Sequence, residues 1–454
     1  MKIIVSHKTH LVDIPQHFEK EIRQKLTIKN PAYLDAVRMG RWTGDMEEYL
    51  HRYEITDGAL SAPRGFTRTV AAMADQHNVP FECIDNTREL PPVDFKFNGK
   101  LRPYQERAAT TVLRRRFGVA QMPTGAGKTV VALHIIAKRG QPALIIVHTK
   151  ELLNQWVDRI ETFLGIPKKE IGVIGNGQKR IGEKITVACV QSLYKCADEV
   201  SQHIGFLIVD EAHRAPSRVF TEAVTAFDSK FMLGLTATAY RRDGLDNLIE
   251  WYLGERVHSV DQAELTDNGA ILPFKVKWVQ TEYETVLDPS SQYTAMLSEL
   301  TQDYQRNRLI CREASSQVTN GGGIPMILSD RKQHCRDIAE ILNRDHGISP
   351  TILTGDLSKK AREKVVAKLN AGDCETLIST TQLLSEGFDC PSLGTVVLAT
   401  PIKFKGRLIQ AIGRALRPSH GQDMATVVDF ADTHVGVLKH SAQKRQHVYN
   451  ELSA

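Results

Sequence analysis

The chain has 454 residues, 42% hydrophobic and 24% charged, so it is long enough for two or three domains and too apolar to be wholly disordered. The net charge of +5, from 58 basic and 53 acidic residues, permits nucleic-acid binding without arguing for it. The seven cysteines form no C-x-x-C pair and no apolar run exceeds a core strand, so we expect a soluble, cytoplasmic protein without disulfides, an iron–sulfur site or a membrane segment.

Residues 1–95 predict a small α/β accessory domain, which we interpret as a DNA-binding module. Trp42 lies near Arg38 and Arg41, an aromatic and basic composition suited to stacking on a base. A buried core tryptophan is the favoured interpretation of Trp42. The predicted elements are strands at 2–5 and 81–85, a strand-like stretch at 49–63, and helices at 15–26 and 66–78.

From about residue 98 onward, ten short apolar runs alternate with helical patterns, which predicts parallel sheets covered on both faces. The runs split into two groups of five, with a seam near "TDNGAILP" at 266–273. We therefore expect two tandem α/β domains, 96–266 and 267–454, after the accessory domain. Ser358 and Gly372 bracket one predicted helix as its cap residues.

The stretch "MPTGAGKT" (122–129) follows a predicted strand and opens a predicted helix, the context of a phosphate-binding loop. Met122 stands where the strict G-x-x-x-x-G-K-T pattern has glycine. Lys128 would reach the β- and γ-phosphates, and the hydroxyl of Thr129 would bind Mg²⁺. The expected nucleotide-binding residues of this loop are Pro123, Thr124, Gly125, Ala126, Gly127, Lys128 and Thr129.

"FLIVDEAH" (206–213) supplies the complementary acidic residues at the end of an apolar strand. Asp210 is positioned to bind the metal, and Glu211 to orient or deprotonate the attacking water. We interpret His213 as a bridge between motifs rather than an acid. Together the two motifs indicate Mg²⁺-dependent ATP hydrolysis.

From about residue 101 to 432 the chain resembles the superfamily 2 helicases. "LRPYQ" (101–105) is similar to the adenine-contacting Q-type motif, which implies nucleotide contacts by Arg102 and Gln105. "LTAT" (235–238) is similar to motif III. "STTQLLSEGFDCP" (379–391) and "QAIGRALR" (410–417) resemble motifs V and VI. The resemblance implies roles at the ATP site for Gly387, Asp389, Gln410, Arg414 and Arg417.

Among these helicases, "LTATAYRRDGLDNLIEWYLG" (235–254) is most similar to the XPB-type and UvsW-type DNA helicases. This likeness implies two RecA-like domains that close on ATP and Mg²⁺ and bring the motif VI arginines to the γ-phosphate. It also implies 3′→5′ movement on single-stranded, forked or branched DNA, with branch migration, by a prokaryotic or phage protein. An RNA helicase, a duplex translocase that never separates strands, and a binding protein with a degenerate ATPase remain as alternatives.

Contacts with the nucleic-acid strand are implied by the same resemblance for polar residues that follow predicted strands. Arg241 and Arg242 could act at a duplex junction or instead pair with Asp243 and Asp246. We expect a monomer or a weak oligomer. The other implied contacts are Lys150, Gln191 and Ser192 in the first domain and Thr380, Thr381 and Gln382 in the second.

Overall fold

The computed structural model describes residues 1–56, 58–214, 218–237, 246–319, 323–384, 393–402, 408–409, 411–413 and 423–453. By its internal contacts the chain forms two compact units. The first comprises Met1–Met122 with Gly127–Ser259, and the second comprises Pro123–Ala126 with Val260–Ala454. No helix in the described ranges is both long and apolar enough to span a bilayer.

The N-terminal module is a five-stranded sheet with the strand order β5-β6-β2-β1-β7, in which only β1 and β7 pair in parallel. Phe18 and Ile22 of its first helix are fully buried. A separate two-stranded sheet pairs β3 with β4. The elements are β1 (Lys2–Val5), β2 (Lys8–Val12), α1 (Gln16–Lys25), β3 (Thr27–Lys29), α2 (Pro31–Arg38), β4 (Tyr49–His51), β5 (Glu54–Thr56), β6 (Ala59–Pro63), α3 (Thr67–Gln76) and β7 (Glu82–Asp85).

This module packs directly onto the domain that follows it, within the first unit. The buried guanidinium of Arg64 lies 4.7 Å from the Phe117 ring centroid and donates a 2.8 Å hydrogen bond to the carbonyl of Ser229. A Cβ at Gly65 would lie 2.4 Å from the carbonyl oxygen of Glu250, so this close approach requires glycine. Trp251 belongs to the same apolar cluster as the core of the module. Buried contacts therefore fix residues 1–95 onto the first large domain.

The first large sheet has the order β11-β10-β12-β9-β13-β14-β8-β15 and is parallel except for the β10–β11 pair. Its central strands are buried throughout, because helices cover both faces. The elements are α4 (Pro103–Leu113), β8 (Phe117–Gln121), α5 (Lys128–Arg139), β9 (Ala143–Val147), α6 (Lys150–Leu164), β10 (Gly172–Gly175), β11 (Gln178–Arg180), β12 (Ile185–Cys189), α7 (Val190–Leu193), α8 (Ala197–Ser201), β13 (Phe206–Val209), α9 (Arg218–Thr225), β14 (Phe231–Thr236), α10 (Asn247–Leu253) and β15 (Arg256–Ser259).

The second unit contains a six-stranded sheet, all parallel, with the order β16-β21-β20-β17-β19-β18. Ser358 caps its helix by accepting a 3.3 Å hydrogen bond from the amide of Ala361, and Gly372 ends that helix at φ +78°. The elements are α11 (Gln262–Asp267), β16 (Phe274–Gln280), α12 (Tyr293–Gln302), α13 (Tyr304–Thr319), β17 (Ile324–Ser329), α14 (Lys332–His346), β18 (Thr351–Leu353), α15 (Lys359–Ala371), β19 (Leu377–Thr380), α16 (Thr381–Leu384), β20 (Leu393–Leu398), β21 (Ala425–Ala431) and α17 (Gly436–Ser453).

Each of the ten predicted apolar runs is a strand, five in each large sheet, so the predicted α/β class with two parallel sheets is confirmed. The units divide between Ser259 and Val260, and β16, which follows the predicted seam at 266–273, belongs to the second sheet.

Buried ion pairs close the carboxyl edge of the second sheet. The Arg306 guanidinium holds both carboxylate oxygens of Asp432 at 2.7 and 3.2 Å and donates a third bond, of 2.6 Å, to the carbonyl of Ala399. Arg445 binds both oxygens of Asp429 at 2.7 and 2.9 Å. All four charged side chains are at most 3% exposed. Each carboxylate here is neutralised by its own guanidinium.

Candidate active site

The strand order of the first sheet brings the sequence motifs together along one edge. Strands β8, β14 and β13 are neighbours in the sheet. The phosphate loop follows β8, "LTAT" includes the end of β14, and "DEAH" follows β13. Strands β9 and β12 come next in the sheet, and α6 and α7 follow them. Because these strands are parallel, their carboxyl ends meet at one edge, where α/β proteins bind ligands.

The phosphate loop has the backbone that its glycines predict. Gly125 (φ +90°) and Gly127 (φ +78°) are in left-handed conformations, and α5 begins at Lys128. The Lys128 ammonium donates a 3.4 Å hydrogen bond to the carbonyl of Met122, whose side chain is fully buried. Met122 therefore fills a core position where the usual pattern has glycine, and Lys128 and the half-buried Thr129 open the helix.

Gln105 lies against this loop. Its side chain is 7% exposed, and its amide nitrogen would be 2.4 Å from a Cβ placed on Gly127. The Gln105 side-chain oxygen accepts a 2.9 Å hydrogen bond from the backbone amide of Arg102, which starts α4. The structure therefore brings Gln105 to the loop residue before Lys128, while the Arg102 side chain is exposed.

Asp210 follows β13 and is only 6% exposed. Its Oδ2 accepts a 2.8 Å hydrogen bond from the indole nitrogen of Trp156, and its Oδ1 accepts a 2.9 Å bond from the amide of Glu211. Burial and, to a smaller extent, the charge of Glu211 raise the pKa of Asp210 to about 6, against the opposing effect of Lys128. The site thus holds a buried carboxyl group beside a cation, and within the described ranges no guanidinium pairs with it.

Glu211 has a backbone φ of +52°, a conformation that costs energy for a residue with a side chain. His213 lies between Glu211 and Thr236 of "LTAT": its Nδ1 is 3.3 Å from a Glu211 carboxylate oxygen and 3.2 Å from the Thr236 hydroxyl. The interpretation of His213 as a bridge between motifs is confirmed at the level of geometry.

The chemical types of these residues suit the binding of Mg²⁺ and a nucleoside triphosphate. The carboxylate of Asp210 and the hydroxyl of Thr129 are hard oxygen ligands of the kind that Mg²⁺ takes. Left-handed glycines before a helix N-terminus, followed by Lys128, form the usual cradle for phosphate oxygens.

The predicted nucleic-acid residues of the first unit lie along the same edge. Lys150, exposed, begins α6 after β9, and Gln191 and Ser192 lie in α7 after the adjacent strand β12. In the second unit, Thr380 ends β19 and Thr381 begins α16, and both are buried, whereas Gln382 is exposed. The Thr381 hydroxyl has no hydrogen-bond partner within the described part of the chain.

Several predicted residues lie outside the described residues: Arg241, Arg242, Gly387, Asp389, Gln410, Arg414 and Arg417.

The interpretation of Trp42 as a buried core residue is wrong, because its side chain is 85% exposed. The indole lies against Gly44, where an added Cβ would come within 2.2 Å of a ring carbon. Arg38 and Arg41 are also exposed, although Arg38 pairs with Asp35 at 3.0 Å. The loop after α2 therefore presents an aromatic ring to solvent, with the ring packed against Gly44.

Two family models match the chain. The model described as "Type III restriction enzyme, res subunit" matches residues 98–241, and the one described as "Helicase conserved C-terminal domain" matches residues 305–419. The first match spans the phosphate loop and "DEAH", and the second includes most of the strands of the second sheet.

Two curated relatives show the same likeness over most of their length. The "Putative ATP-dependent RNA helicase L396" of Acanthamoeba polyphaga mimivirus is 27% identical over 80% of this chain and 70% of its own. The "DNA 3'-5' translocase XPB2" of Sulfurisphaera tokodaii is 28% identical over 70% of this chain and 79% of its own. Among solved structures, S. cerevisiae Dbp5 bound to RNA and ADP BeF3 is similar with a TM-score of 0.56 at 16% identity, over 78% of this chain and 88% of that one. That likeness is one of fold.

Proposed function

Because this chain belongs to superfamily 2 of the helicases, we propose that it couples ATP hydrolysis to movement along DNA and to the remodelling of forked or branched DNA. The observation that carries the proposal is the buried carboxyl group of Asp210 beside Lys128 at the edge of the first sheet. Among the residues that the structure describes, no guanidinium pairs with Asp210; a buried carboxylate in this state is costly, and binding of a divalent cation would offset that cost.

The proposed roles follow from the positions of the side chains. Lys128 binds the terminal phosphates, and Asp210 with Thr129 holds Mg²⁺, which would neutralise the charge that develops on the transferred phosphoryl group. Glu211 orients the attacking water, and its strained backbone supports a functional role. Gln105 and Arg102 would contact the base, with Pro123, Thr124, Gly125, Ala126 and Gly127 around the phosphates. Gly387, Asp389, Gln410, Arg414 and Arg417 would complete the site from motifs V and VI.

We assign the contacts with DNA to the exposed part of the same edge and to the N-terminal module. Lys150, Gln191 and Ser192 follow neighbouring strands, which supports a shared track for phosphates. The exposed ring of Trp42 offers a stacking surface. We also propose that Arg241 and Arg242 contact the duplex junction and that Thr380, Thr381 and Gln382 contact the strand.

We further propose that the chain is divided into three domains, at residues 1–95, 96–266 and 267–454.

RNA is the alternative substrate, since one relative carries "RNA helicase" in its name and another "DNA 3'-5' translocase". ATP hydrolysis measured with single-stranded DNA, duplex, fork, Holliday junction and RNA of matched length separates the two. We expect fork and junction DNA to stimulate hydrolysis most, and strand displacement to accompany it. Stimulation by RNA alone would overturn the DNA assignment, and hydrolysis without displacement would indicate a duplex translocase.

The matched variants are Lys128→Ala and Lys138→Ala, at the start and the exposed end of the same helix. Lys128→Ala should reduce stimulated hydrolysis by roughly a thousandfold, because the ammonium binds the phosphates. Lys138→Ala should retain full activity. Trp42→Ala should weaken fork binding in a fluorescence-anisotropy titration without changing hydrolysis at saturating DNA. Full hydrolysis by Lys128→Ala would exclude the proposed ATP site.

A further inference from the structure

The indole of Trp156 occupies an unusual position for a core tryptophan. It lies on the buried stripe of α6 with Leu153 and Ile160, yet its nitrogen donates a 2.8 Å hydrogen bond to a carboxylate 54 positions further along the chain. That carboxylate is Asp210, the proposed metal ligand. Packing alone would be satisfied by an apolar ring, so the N–H group calls for a separate explanation.

The geometry follows from how α6 leaves the sheet. Strands β9 and β13 are adjacent, with Ile146 opposite Val209, and only two residues separate the end of β9 from the start of α6. Long side chains in a helix point back toward its N-terminus. The indole of Trp156, about two turns into α6, is therefore directed back toward the strand ends where Asp210 lies.

We propose that Trp156 is a positioning residue for the magnesium site, holding the Asp210 carboxylate in the orientation that binds the metal. The Trp156 indole donates a hydrogen bond to Oδ2, and the backbone N–H of Glu211 donates one to Oδ1, so each carboxylate oxygen has one fixed donor. An oxygen atom can accept a second interaction, so each retains capacity for Mg²⁺ or a metal-bound water. This inference rests on the proposed ATP site.

The chemical type of the donor matters as much as its position. An indole N–H is a neutral donor that cannot accept a proton or carry a positive charge. It orients Asp210 and leaves the negative charge of the carboxylate available to a cation. A guanidinium at the same place would neutralise that charge. Partners of metal ligands commonly act in this way, and their loss lowers metal affinity by roughly 10- to 100-fold.

The arrangement also ties α6 to the nucleotide site. Helix α6 begins at Lys150, a proposed contact with the nucleic-acid strand, and continues as one helix to Trp156. If α6 moves when the nucleic-acid strand binds, the hydrogen bond from Trp156 would shift the carboxylate of Asp210. The residue thus stands between the two functional parts of the sheet edge.

The test compares Trp156→Phe, Trp156→His and Trp278→Phe in the full chain. Phenylalanine removes the N–H, whereas histidine is smaller still but retains an N–H donor. Trp278 is the matched control, because its buried indole nitrogen has no hydrogen-bond partner in the described ranges. The readout is the affinity for a fluorescent ADP analogue, titrated with Mg²⁺ and, separately, in EDTA.

We expect Trp156→Phe to raise the Mg²⁺ concentration needed for tight nucleotide binding by roughly 10- to 100-fold and to leave the affinity in EDTA unchanged. Trp156→His should lie closer to the wild type, and Trp278→Phe should match it. An unchanged Mg²⁺ dependence in Trp156→Phe overturns the inference, as does a histidine variant weaker than the phenylalanine one, which would indicate packing alone. If the wild-type chain binds the analogue with no Mg²⁺ dependence, the proposed ATP site itself fails.

Discussion

Both large sheets carry buried carboxylates at or near their carboxyl edges, but the donors that bind these carboxylates differ: they are neutral in the first sheet and positively charged in the second. In the first sheet, Asp210 receives hydrogen bonds from a neutral indole and a backbone amide. In the second, Asp432 and Asp429 are each held by two nitrogens of a buried arginine, Arg306 and Arg445. The surroundings are equally dry, since all three carboxylates are at most 6% exposed.

The difference separates a structural carboxylate from one that can bind a cation. A guanidinium matches a carboxylate in shape and charge, so the pairs of the second sheet are complete and rigid. Asp210 is oriented by two neutral donors, and in the described part of the chain no guanidinium pairs with it; burial and the charge of Glu211 raise its pKa, which Lys128 only partly opposes. The ion pairs of the second sheet therefore stabilise the fold, whereas the Asp210 carboxylate of the first sheet can bind a cation.

The same substitution should cost much less stability at the first edge than at the second. Asp210→Asn should reduce DNA-stimulated ATP hydrolysis by roughly a thousandfold, because the metal loses its carboxylate ligand. It should change the free energy of unfolding of the first unit by no more than about 1 kcal/mol at pH 7, because relief of the buried negative charge offsets the loss of one hydrogen bond, an asparagine having only one acceptor oxygen for the two N–H donors. ATPase rates and urea unfolding check both expectations. The control is Asp198→Asn, an exposed carboxylate of the same unit. A loss of stability in Asp210→Asn as large as the loss in Asp432→Asn would contradict the comparison.

Asp432→Asn should instead destabilise the second unit by about 3–5 kcal/mol, because it leaves the guanidinium of Arg306 buried and unpaired. Hydrogen exchange of α13 and β21 peptides during urea unfolding measures this change. The exposed Asp373, changed to asparagine, serves as the control and should alter stability by less than about 0.5 kcal/mol. A double replacement of Arg306 and Asp432 by Met and Leu should recover much of the loss. Equal stability of Asp432→Asn and the wild type would remove the distinction between the two edges.

The parts of this arrangement that sequence could predict are those encoded in short continuous stretches. Strands buried on both faces must be apolar throughout, and all ten predicted runs are strands. The predicted resemblance to helicases of the XPB type is likewise supported, by the two family models and by the XPB2 relative, because the motifs that carry it are short and ordered along the chain. Lys128 and Asp210 were predicted for the same reason, and the structure places both on one edge of the first sheet.

What sequence could not predict depends on contacts between distant segments. The bond between Trp156 and Asp210 exists only because α6 docks beside β13, and no local pattern distinguishes that tryptophan from any other core residue. The local sequence also gives no sign that the N-terminal module packs onto the first large domain through Gly65 and Trp251. The prediction that Trp42 is buried rests on the usual burial of aromatic residues and is wrong, because the ring lies exposed against Gly44 in the loop after α2.

The closed edge of the second sheet should also respond to pH. His334 is 1% exposed, accepts or donates at 2.9 Å to the Ser329 hydroxyl and lies 2.8 Å from the side-chain oxygen of Asn307. Burial and, to a smaller extent, the neighbouring charge of Arg306 lower the pKa of His334 to about 3. The unfolded chain, with a histidine pKa near 6.5, therefore binds a proton that the folded chain does not between about pH 6.5 and 3.

Stability of the second unit should consequently be complete above about pH 6.5 and fall by about 1.4 kcal/mol for each pH unit below it. Hydrogen exchange of β17 and α14 peptides, corrected for the intrinsic pH dependence of exchange, measures this slope. His334→Gln provides the comparison, since glutamine keeps a donor and an acceptor but does not titrate in this range. The variant should have the shallower slope, even if it is less stable at pH 7. An identical slope in both proteins would assign the pH dependence to other groups and leave the neutral His334 without energetic consequence. A steeper fall in the wild type would show that His334 stays neutral in the folded chain because it is buried near Arg306.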